Sequence, residues 1–283
     1  MTHHLTQIDH VVVGVRDLDA AAKVYSRLGF TLTPRGRHIG WGTANLCAMF
    51  ERDYIELLGI VDPSRFVNNL DRFLESREGP MAVALGTDDA AAAAASLTSA
   101  SYAAEGPKEL ARVVTLPDGE STPRFNIVLL PPEATPGINA FVCQHLTPEL
   151  MRRKEWLVHA NGARAIHSVT AVVEDPRAVA DDYSKLFGPS AVTLTDNSFA
   201  VRIARNSAML LLARADDLSA LHPAVEPVPY EPPYIAAITM KVFDVAATAE
   251  FLRRQGLPFV TDPDGALRLP ASAALGSILE FRA

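Results

Sequence analysis

The sequence predicts an α+β fold built from four βαβββ modules, and three observations lead to that prediction. A β-branched run, an aspartate and an amphipathic stretch open the chain in residues 8–30. The same order of strand, aspartate and helix recurs in residues 81–102, 166–188 and 238–259. Short apolar runs of strand length follow each predicted helix. The alternative is four α/β segments that are unrelated to one another.

The first module shows the pattern most clearly. The run "HVVVGV" is rich in β-branched residues and predicts a strand. Asp17 is placed to cap a helix with Leu18, Ala21 and Leu28 on its apolar face, and Gly29 stands where helices commonly end. The runs "GTANLCAMF" and "DYIELLGI" then predict the strands that complete the module.

The later modules repeat this order. The second helix is followed by "ARVVTLP", "FNIVLLP" and "AFVCQH", and the third by "AVTLTD", "FAVRIA" and "AMLLLAR". The fourth is followed by "PFVTD", "ALRLP" and "SILEF". Each set predicts a group of short strands after its helix.

The chain of 283 residues has room for one large domain or two of about 140 residues each. We predict an N-terminal domain of modules one and two in residues 1–143, and a C-terminal domain of modules three and four in residues 164–283. Residues 144–163 predict a helical connector, with Pro148 near a helix start. The proline-rich stretch 222–234 predicts an extended link.

The composition is that of a globular protein, with 48% hydrophobic and 21% charged residues. A formal charge of −7 argues against a nucleic-acid partner, and no apolar run reaches the roughly 18 residues that span a membrane. The N-terminus shows no secretory signal. Two cysteines form no disulfide framework, so we expect a cytoplasmic protein. The expected partner is a small-molecule substrate, and paired modules with edge strands are compatible with a homodimer.

The modules, with His10 in the first strand and "YIELLG" closing the first unit, resemble the vicinal oxygen chelate superfamily. The stretch "GRHIGWGTANL" at residues 36–46 is most similar to its glyoxalase-like branch. The superfamily includes glyoxalase I, extradiol dioxygenases, 4-hydroxyphenylpyruvate dioxygenase and antibiotic-binding resistance proteins. The resemblance implies that modules pair into two cup-shaped mixed β-sheets with flanking helices.

The resemblance also implies a metal held by histidine from first strands and glutamate from fourth strands, which nominates His10 and Glu56. Imidazole and carboxylate suit divalent Fe, Mn, Zn or Ni. Catalytic sites usually have three protein ligands, and His145, at the end of "AFVCQH", is the candidate third. A carboxylate in an apolar strand needs a partner, so Glu56 is also the candidate catalytic residue. The alternative is that His10 is a hydrogen-bonded core histidine with no functional role.

The C-terminal half offers fewer ligands. Counted back seven residues from the helix-capping aspartates, the positions that correspond to His10 are Met81, Ser168 and Ala237. His167 lies one residue before Ser168, on the opposite strand face unless a bulge restores its phase. Glu280 in "SILEF" is the fourth-strand carboxylate. We therefore rank the N-terminal cup first and treat the other as a degenerate copy or part of the substrate wall.

The segment "RHIGWGT" predicts a loop that lines an opening, because glycines punctuate it. His38, Trp41 and Asn45 are the candidate substrate-binding residues, since an aromatic ring with polar neighbours suits a ligand pocket. The alternative is a structural tie in which Thr43 and Asn45 bond the local backbone.

Three functions follow from these residues. The leading one is a metal-dependent lyase or isomerase, or a dioxygenase, acting on a small oxygen-rich or aromatic substrate in the N-terminal cup. The second is a metal-free protein of the bleomycin-resistance type that sequesters a small molecule and needs no cofactor. The third is a structural module whose cups are filled by side chains.

Overall fold

A computed structural model describes residues 3–226 and 230–283 of the chain. The strands of the first half are β1 (Leu5–Gly14), β2 (Gly36–His38), β3 (Thr43–Met49), β4 (Tyr54–Ile60), β5 (Gly79–Thr87), β6 (Glu105–Leu116), β7 (Gly119–Ser121), β8 (Arg124–Leu129) and β9 (Ala140–His145). Those of the second half are β10 (Ala163–Val172), β11 (Val192–Leu194), β12 (Ser198–Val201), β13 (Met209–Ala213), β14 (Tyr234–Val242), β15 (Val260–Thr261), β16 (Leu267–Leu269) and β17 (Ile278–Arg282). The α-helices are α1 (Leu18–Arg27), α2 (Leu70–Ser76), α3 (Ala90–Ser99), α4 (Pro176–Phe187), α5 (Leu218–Leu221) and α6 (Val245–Arg254).

The four predicted βαβββ modules are confirmed. They run β1–α1–β2–β3–β4, β5–α3–β6–β8–β9, β10–α4–β11–β12–β13 and β14–α6–β15–β16–β17. Helices α2 and α5 are additions after the first and third modules, and β7 pairs with β6. The modules combine in pairs into two mixed sheets, which confirms the α+β class.

The first sheet curls into a closed barrel. Its strand order is β2–β3–β4–β1–β5–β9–β8–β6–β7, and β2 also pairs with β6, which joins the two sides. Strand β1 runs parallel to β4 and antiparallel to β5, so that His10 stands opposite Tyr54 on one neighbour and Ala84 on the other. Because side chains alternate between the two faces of each strand, closure creates an interior lined by one face.

The second sheet has the order β11–β12–β13–β10–β14–β17–β16–β15. Its first strand repeats an irregularity of the first sheet: β1 has a register shift that ends at His10, and β10 has one that ends at Ser168. The matching bulges make Ser168 the counterpart of His10, and His167 the counterpart of Asp9. The bulge in β10 therefore does not bring His167 into phase with His10.

An aspartate caps the helix of each module. The side chains of Asp17, Asp89, Asp175 and Asp244 accept hydrogen bonds from backbone N–H groups of the first turn. In the second module the cap is Asp89 and not Asp88, which the spacing used. The position seven residues upstream is therefore Ala82 rather than Met81, and an alanine side chain offers no ligand atom.

The segment predicted as a helical connector contains short 3₁₀ helices. Within residues 144–163 the helical pieces are two 3₁₀ helices, Pro148–Leu150 and Lys154–Trp156. Met151 and Trp156 are the apolar residues that this segment buries, in a cluster with residues of the barrel. They lie five positions apart, whereas an α-helix places residues three or four apart on one face. The segment therefore follows the barrel surface in short turns.

One continuous apolar core joins the two halves, since buried residues of both sheets belong to the same cluster. The rings of Phe30 and Phe281 stack across the junction with centroids 6.3 Å apart. The Arg27 guanidinium donates to the carbonyl of Gln255, and the Tyr183 hydroxyl donates to the carbonyl of Pro136. Such burial at the junction favours a fixed arrangement of the halves.

The predicted extended link at 222–234 includes residues 227–229, which lie outside the described residues. Before them, His222 follows the end of α5, and after them β14 begins at Tyr234. In the described parts of the chain, no helix has the length and apolarity needed to cross a bilayer.

Candidate active site in the first barrel

The interior of the first barrel holds a cavity of about 490 Å³. All six residues that the sequence nominates line it: His10, His38, Trp41, Asn45, Glu56 and His145. Apolar side chains such as Leu110, Phe125 and Phe141 form much of the remaining wall. Among the described lining residues, Glu56 is the only acid and Arg112 the only lysine or arginine.

His10 is held in one orientation by its neighbour in the chain. Its Nδ1 lies 2.8 Å from Oδ2 of Asp9, which is buried and, as a carboxylate, can only accept. Nδ1 therefore carries a proton. The His10 ring also stacks on Tyr54 with centroids 4.3 Å apart. These contacts direct Nε2 of His10 toward Glu56.

Glu56 lies on β4 beside β1, and its Oε2 is 3.5 Å from Nε2 of His10. Asn45 donates to the other oxygen, Oε1, at 2.5 Å. Burial alone would raise the pKa of Glu56, but the neighbouring His10, His38 and Arg112 outweigh it and hold the pKa below its usual range. The carboxylate is therefore ionised at neutral pH.

His38 and Asn45 form the opposite side of this polar group. Nδ1 of His38 is 2.8 Å from the Thr43 hydroxyl, and its Nε2 is 3.3 Å from the Asn45 amide nitrogen. Burial lowers the pKa of His38 to about 4, so the imidazole is neutral. Because Asn45 donates to both His38 and Glu56, its side chain fixes the orientation of the carboxylate.

Trp41 lies in the loop between β2 and β3, where its backbone forms an isolated bridge to Phe66. The two rings meet edge to face with centroids 4.9 Å apart. Trp41 therefore lines the cavity from a loop that is held by contacts to the segment around Phe66. The ring centroids of Trp41 and His38 are 6.2 Å apart.

His145, at the end of β9, contacts Asp9 rather than Glu56. Its Nε2 lies 2.9 Å from the same Oδ2 atom that His10 engages. Burial opposes ionisation of Asp9, but the charge of His145 and hydrogen bonds from both histidines hold the pKa of this carboxyl far below its usual range. The resulting chain of groups is His145, Asp9, His10 and Glu56.

Two residues of the site, Asp9 and Arg112, are not among the residues that the sequence predicts. Adjacent residues of a regular strand point to opposite faces, and the bulge in β1 brings the Asp9 carboxylate to His10. The dipeptide of an acid and a histidine was the available signal. Arg112, on β6, gave no signal, since arginines on strands are usually exposed.

The donor set fits a divalent cation at His10 and Glu56. Because Nδ1 of His10 faces Asp9, Nε2 is the nitrogen that faces the Glu56 carboxylate, at 3.5 Å from Oε2. Either a proton on Nε2 or a cation bound by both groups would satisfy this contact. A carboxylate that orients the far nitrogen of a histidine is a common support for a metal ligand.

A second donor set shares His10. Among the described residues, Asp9, His10 and Cys143 are the three whose ligand atoms all lie within 4.8 Å of one another. Asp9 already accepts two imidazole N–H groups at Oδ2. Burial, with the nearby Asp9 and Glu56, raises the pKa of the Cys143 thiol well above its usual range. A metal at this set would have to displace the Cys143 proton, whereas the Glu56 carboxylate is already ionised.

The corresponding carboxylate of the second half, Glu280, is bound by neighbouring side chains of the protein. Glu280 lies on β17, which is parallel to β14 as β4 is to β1. Its Oε2 accepts from Nδ1 of His222 at 3.0 Å and from Nε of Arg268 at 2.7 Å. Its hydrogen-bonding capacity at that oxygen is therefore used within the protein.

A family model described as a glyoxalase-like domain matches residues 8–187, from β1 to the end of α4. The match covers more than half of the chain, so the protein belongs to the glyoxalase-like domain family. The predicted membership of this branch of the vicinal oxygen chelate superfamily is confirmed. A search of curated proteins gave no match.

Solved structures share the fold over nearly the whole chain. A hypothetical protein from Staphylococcus aureus is 13% identical, with a TM-score of 0.67 and coverage of 97% of this chain and 98% of that one. A mutant of 4-hydroxymandelate synthase from Streptomyces coelicolor is 12% identical, with a TM-score of 0.60 and coverage of 98% and 92%. A Mn(II)-bound glyoxalase from Novosphingobium aromaticivorans is 12% identical, with a TM-score of 0.57 and coverage of 98% and 82%. At these identities the likeness concerns the fold.

Proposed function

We propose that the protein is a metal-dependent lyase or isomerase that binds a small oxygen-rich or aromatic substrate in the cavity of the first barrel. The observation that carries the proposal is the approach of His10 Nε2 to Glu56 Oε2 at 3.5 Å, with Asp9 holding the His10 ring. The Mn(II) bound by a glyoxalase of the same fold supports it.

His10 and Glu56 would hold the cation, which when bound polarises a substrate oxygen as a Lewis acid. The residues of the chain supply the remaining functions. Asp9 keeps Nδ1 of His10 protonated, so that Nε2 remains the ligand atom. Asn45 occupies Oε1 of Glu56 and leaves Oε2 for the ligand role. The apolar wall excludes water and raises the strength of these electrostatic contacts.

Proton transfer is better supported than ring cleavage. A non-haem iron oxygenase uses two histidines and one carboxylate with open positions. The residue opposite His10 on β5 is Ala84, and His145 is engaged by Asp9. The nearby imidazole of His38 is neutral and hydrogen-bonded to Thr43, so it suits a role in contacting substrate.

A metal-free binding protein is the second candidate. The largely apolar wall favours it, because a buried apolar cavity with a few polar groups also suits sequestration of a hydrophobic molecule. In that case a shared proton between His10 and Glu56 would replace the cation.

The test is calorimetric titration of Mn(II), Zn(II) and Ni(II) into protein freed of metal with EDTA. We expect one ion per chain, and a loss of affinity of at least about 100-fold in His10→Ala and Glu56→Gln, because each removes a ligand. His167→Ala is the matched control, since it removes a histidine from the second sheet. Equal affinity in wild type and His10→Ala would exclude His10 as a ligand, and absence of binding at micromolar metal would favour the second candidate.

A further inference from the structure

Arg112 is a buried cation in the wall of the cavity. It lies on β6 opposite His38 of β2, and only 3% of it is exposed. Gly36 on β2 provides the necessary room, because a Cβ atom there would come within 2.8 Å of the Arg112 side chain. Closure of the barrel through β2 and β6 thus encloses a guanidinium group.

The partners of this guanidinium are sulfur atoms. Nη1 donates to Sγ of Cys47 at 3.3 Å and Nη2 donates to Sδ of Met151 at 2.8 Å. Nε of Arg112 is buried and has no hydrogen-bond partner. Within the described residues Arg112 forms no ion pair at 4.0 Å or less, although Glu56 is near enough to influence it. Thiols and thioethers are weak acceptors, so the guanidinium N–H groups lack strong hydrogen-bond partners.

Arg268 in the second sheet shows the contrast. It is also buried, but its Nε lies 2.7 Å from Glu280 and its Nη1 lies 2.6 Å from Asp262. The second half, in which Glu280 is already hydrogen-bonded, thus places two carboxylates beside its buried arginine. Among the described residues, the half with the cavity places no carboxylate within 4.0 Å of Arg112, so its N–H groups remain available to a carboxylate that enters the cavity.

We infer that Arg112 binds an anionic carboxylate of the substrate, so that the substrates are monocarboxylic acids with an apolar body. This inference rests on the proposed function, and it names the substrate class. A bidentate guanidinium–carboxylate contact would replace weak sulfur acceptors with strong ones. The body of the acid would lie against Leu110, Phe125 and Phe141, which line the same cavity.

The experiment measures binding of phenylacetate and of the neutral phenylacetamide by calorimetry in EDTA, so that metal contributes nothing. Wild type should bind phenylacetate about tenfold more tightly than phenylacetamide. Arg112→Met should lose that preference, and Arg112→Lys should keep part of it. Arg124→Met, which removes an exposed arginine on β8, is the control and should bind as wild type.

Two variants separate this inference from the proposed function. Glu56→Gln should lose Mn(II) but bind phenylacetate more tightly, because it removes the negative charge that Glu56, the one acid among the described lining residues, places in the cavity. Arg112→Met, with a folded circular-dichroism spectrum, should lose the carboxylate preference but still bind Mn(II). Equal binding of the two probes by wild type, binding of neither at millimolar concentration, or an unchanged preference in Arg112→Met would overturn the inference.

Discussion

The residue that organises the site is Asp9. Its single oxygen Oδ2 accepts from both His10 and His145, and this contact fixes which nitrogen of His10 faces Glu56. A carboxylate in this position raises the basicity of a metal-binding imidazole and restricts its rotation. Asp9 is therefore a positioning residue, which acts through His10.

Replacing Asp9 by asparagine should weaken Mn(II) binding by about 10- to 100-fold, because the His10 ring loses its orienting acceptor. Titration calorimetry on metal-free protein measures this. Asp89→Asn is the matched control, since asparagine caps the start of α3 as well as aspartate does. Wild-type affinity in Asp9→Asn would show that the contact has no bearing on metal binding.

Single residues also mark the limit of what the sequence predicts. His10 and Glu56 could be paired because the resemblance to the vicinal oxygen chelate superfamily implies ligands from first and fourth strands, and the structure brings them within 3.5 Å. The contact of His145 with Asp9 depends on the bulge in β1, and the burial of Arg112 depends on closure of the barrel. Neither feature produces a periodic pattern in the sequence.

At the scale of elements, the strands and module helices follow from local pattern, whereas the connector does not. Its buried residues Met151 and Trp156 pack on the barrel, so tertiary contacts decide its conformation. Contacts with a distant segment of the chain also fix the conformation of the loop that carries Trp41. Gly42 within it donates to the carbonyl of Phe66, and its own carbonyl accepts from Val61 and Asp62.

Gly42→Ala should lower the free energy of unfolding by about 2 kcal/mol or more, because the added methyl group would meet the carbonyl oxygen of Asp62 at 2.0 Å. Gly40→Ala is the comparison two residues away. It faces open space and carries only the strain of a positive φ of 79°, so it should cost about 1 kcal/mol. Urea unfolding measures both, and equal losses would contradict this account of the loop.

At the scale of the whole molecule, a buried acid lies where the two halves meet. Asp53 accepts the backbone N–H of Ile166, at the start of the second sheet, at 3.0 Å. Burial raises the pKa of Asp53 from 3.8 to about 7, although the Ile166 bond opposes the rise. The folded protein therefore binds this proton more tightly than the unfolded chain does.

The free energy of unfolding should accordingly fall as the pH rises from about 4 to about 7, by roughly 1–3 kcal/mol from this residue. Asp53→Asn keeps an acceptor for Ile166 and cannot ionise, so it should be the more stable protein at pH 8 and lose this part of the pH dependence. Denaturant unfolding across pH 4–8 measures it. A variant less stable than wild type at pH 8 would show that the fold favours the ionised form of Asp53, which contradicts a raised pKa.

The central claim is that His10 and Glu56 share a divalent cation inside the first barrel. Diffraction from crystals grown with Mn(II), recorded near the manganese absorption edge, locates the ion directly. The account predicts an anomalous peak between Nε2 of His10 and Oε2 of Glu56. A peak between Asp9 and Cys143, or no peak within the cavity, would contradict it.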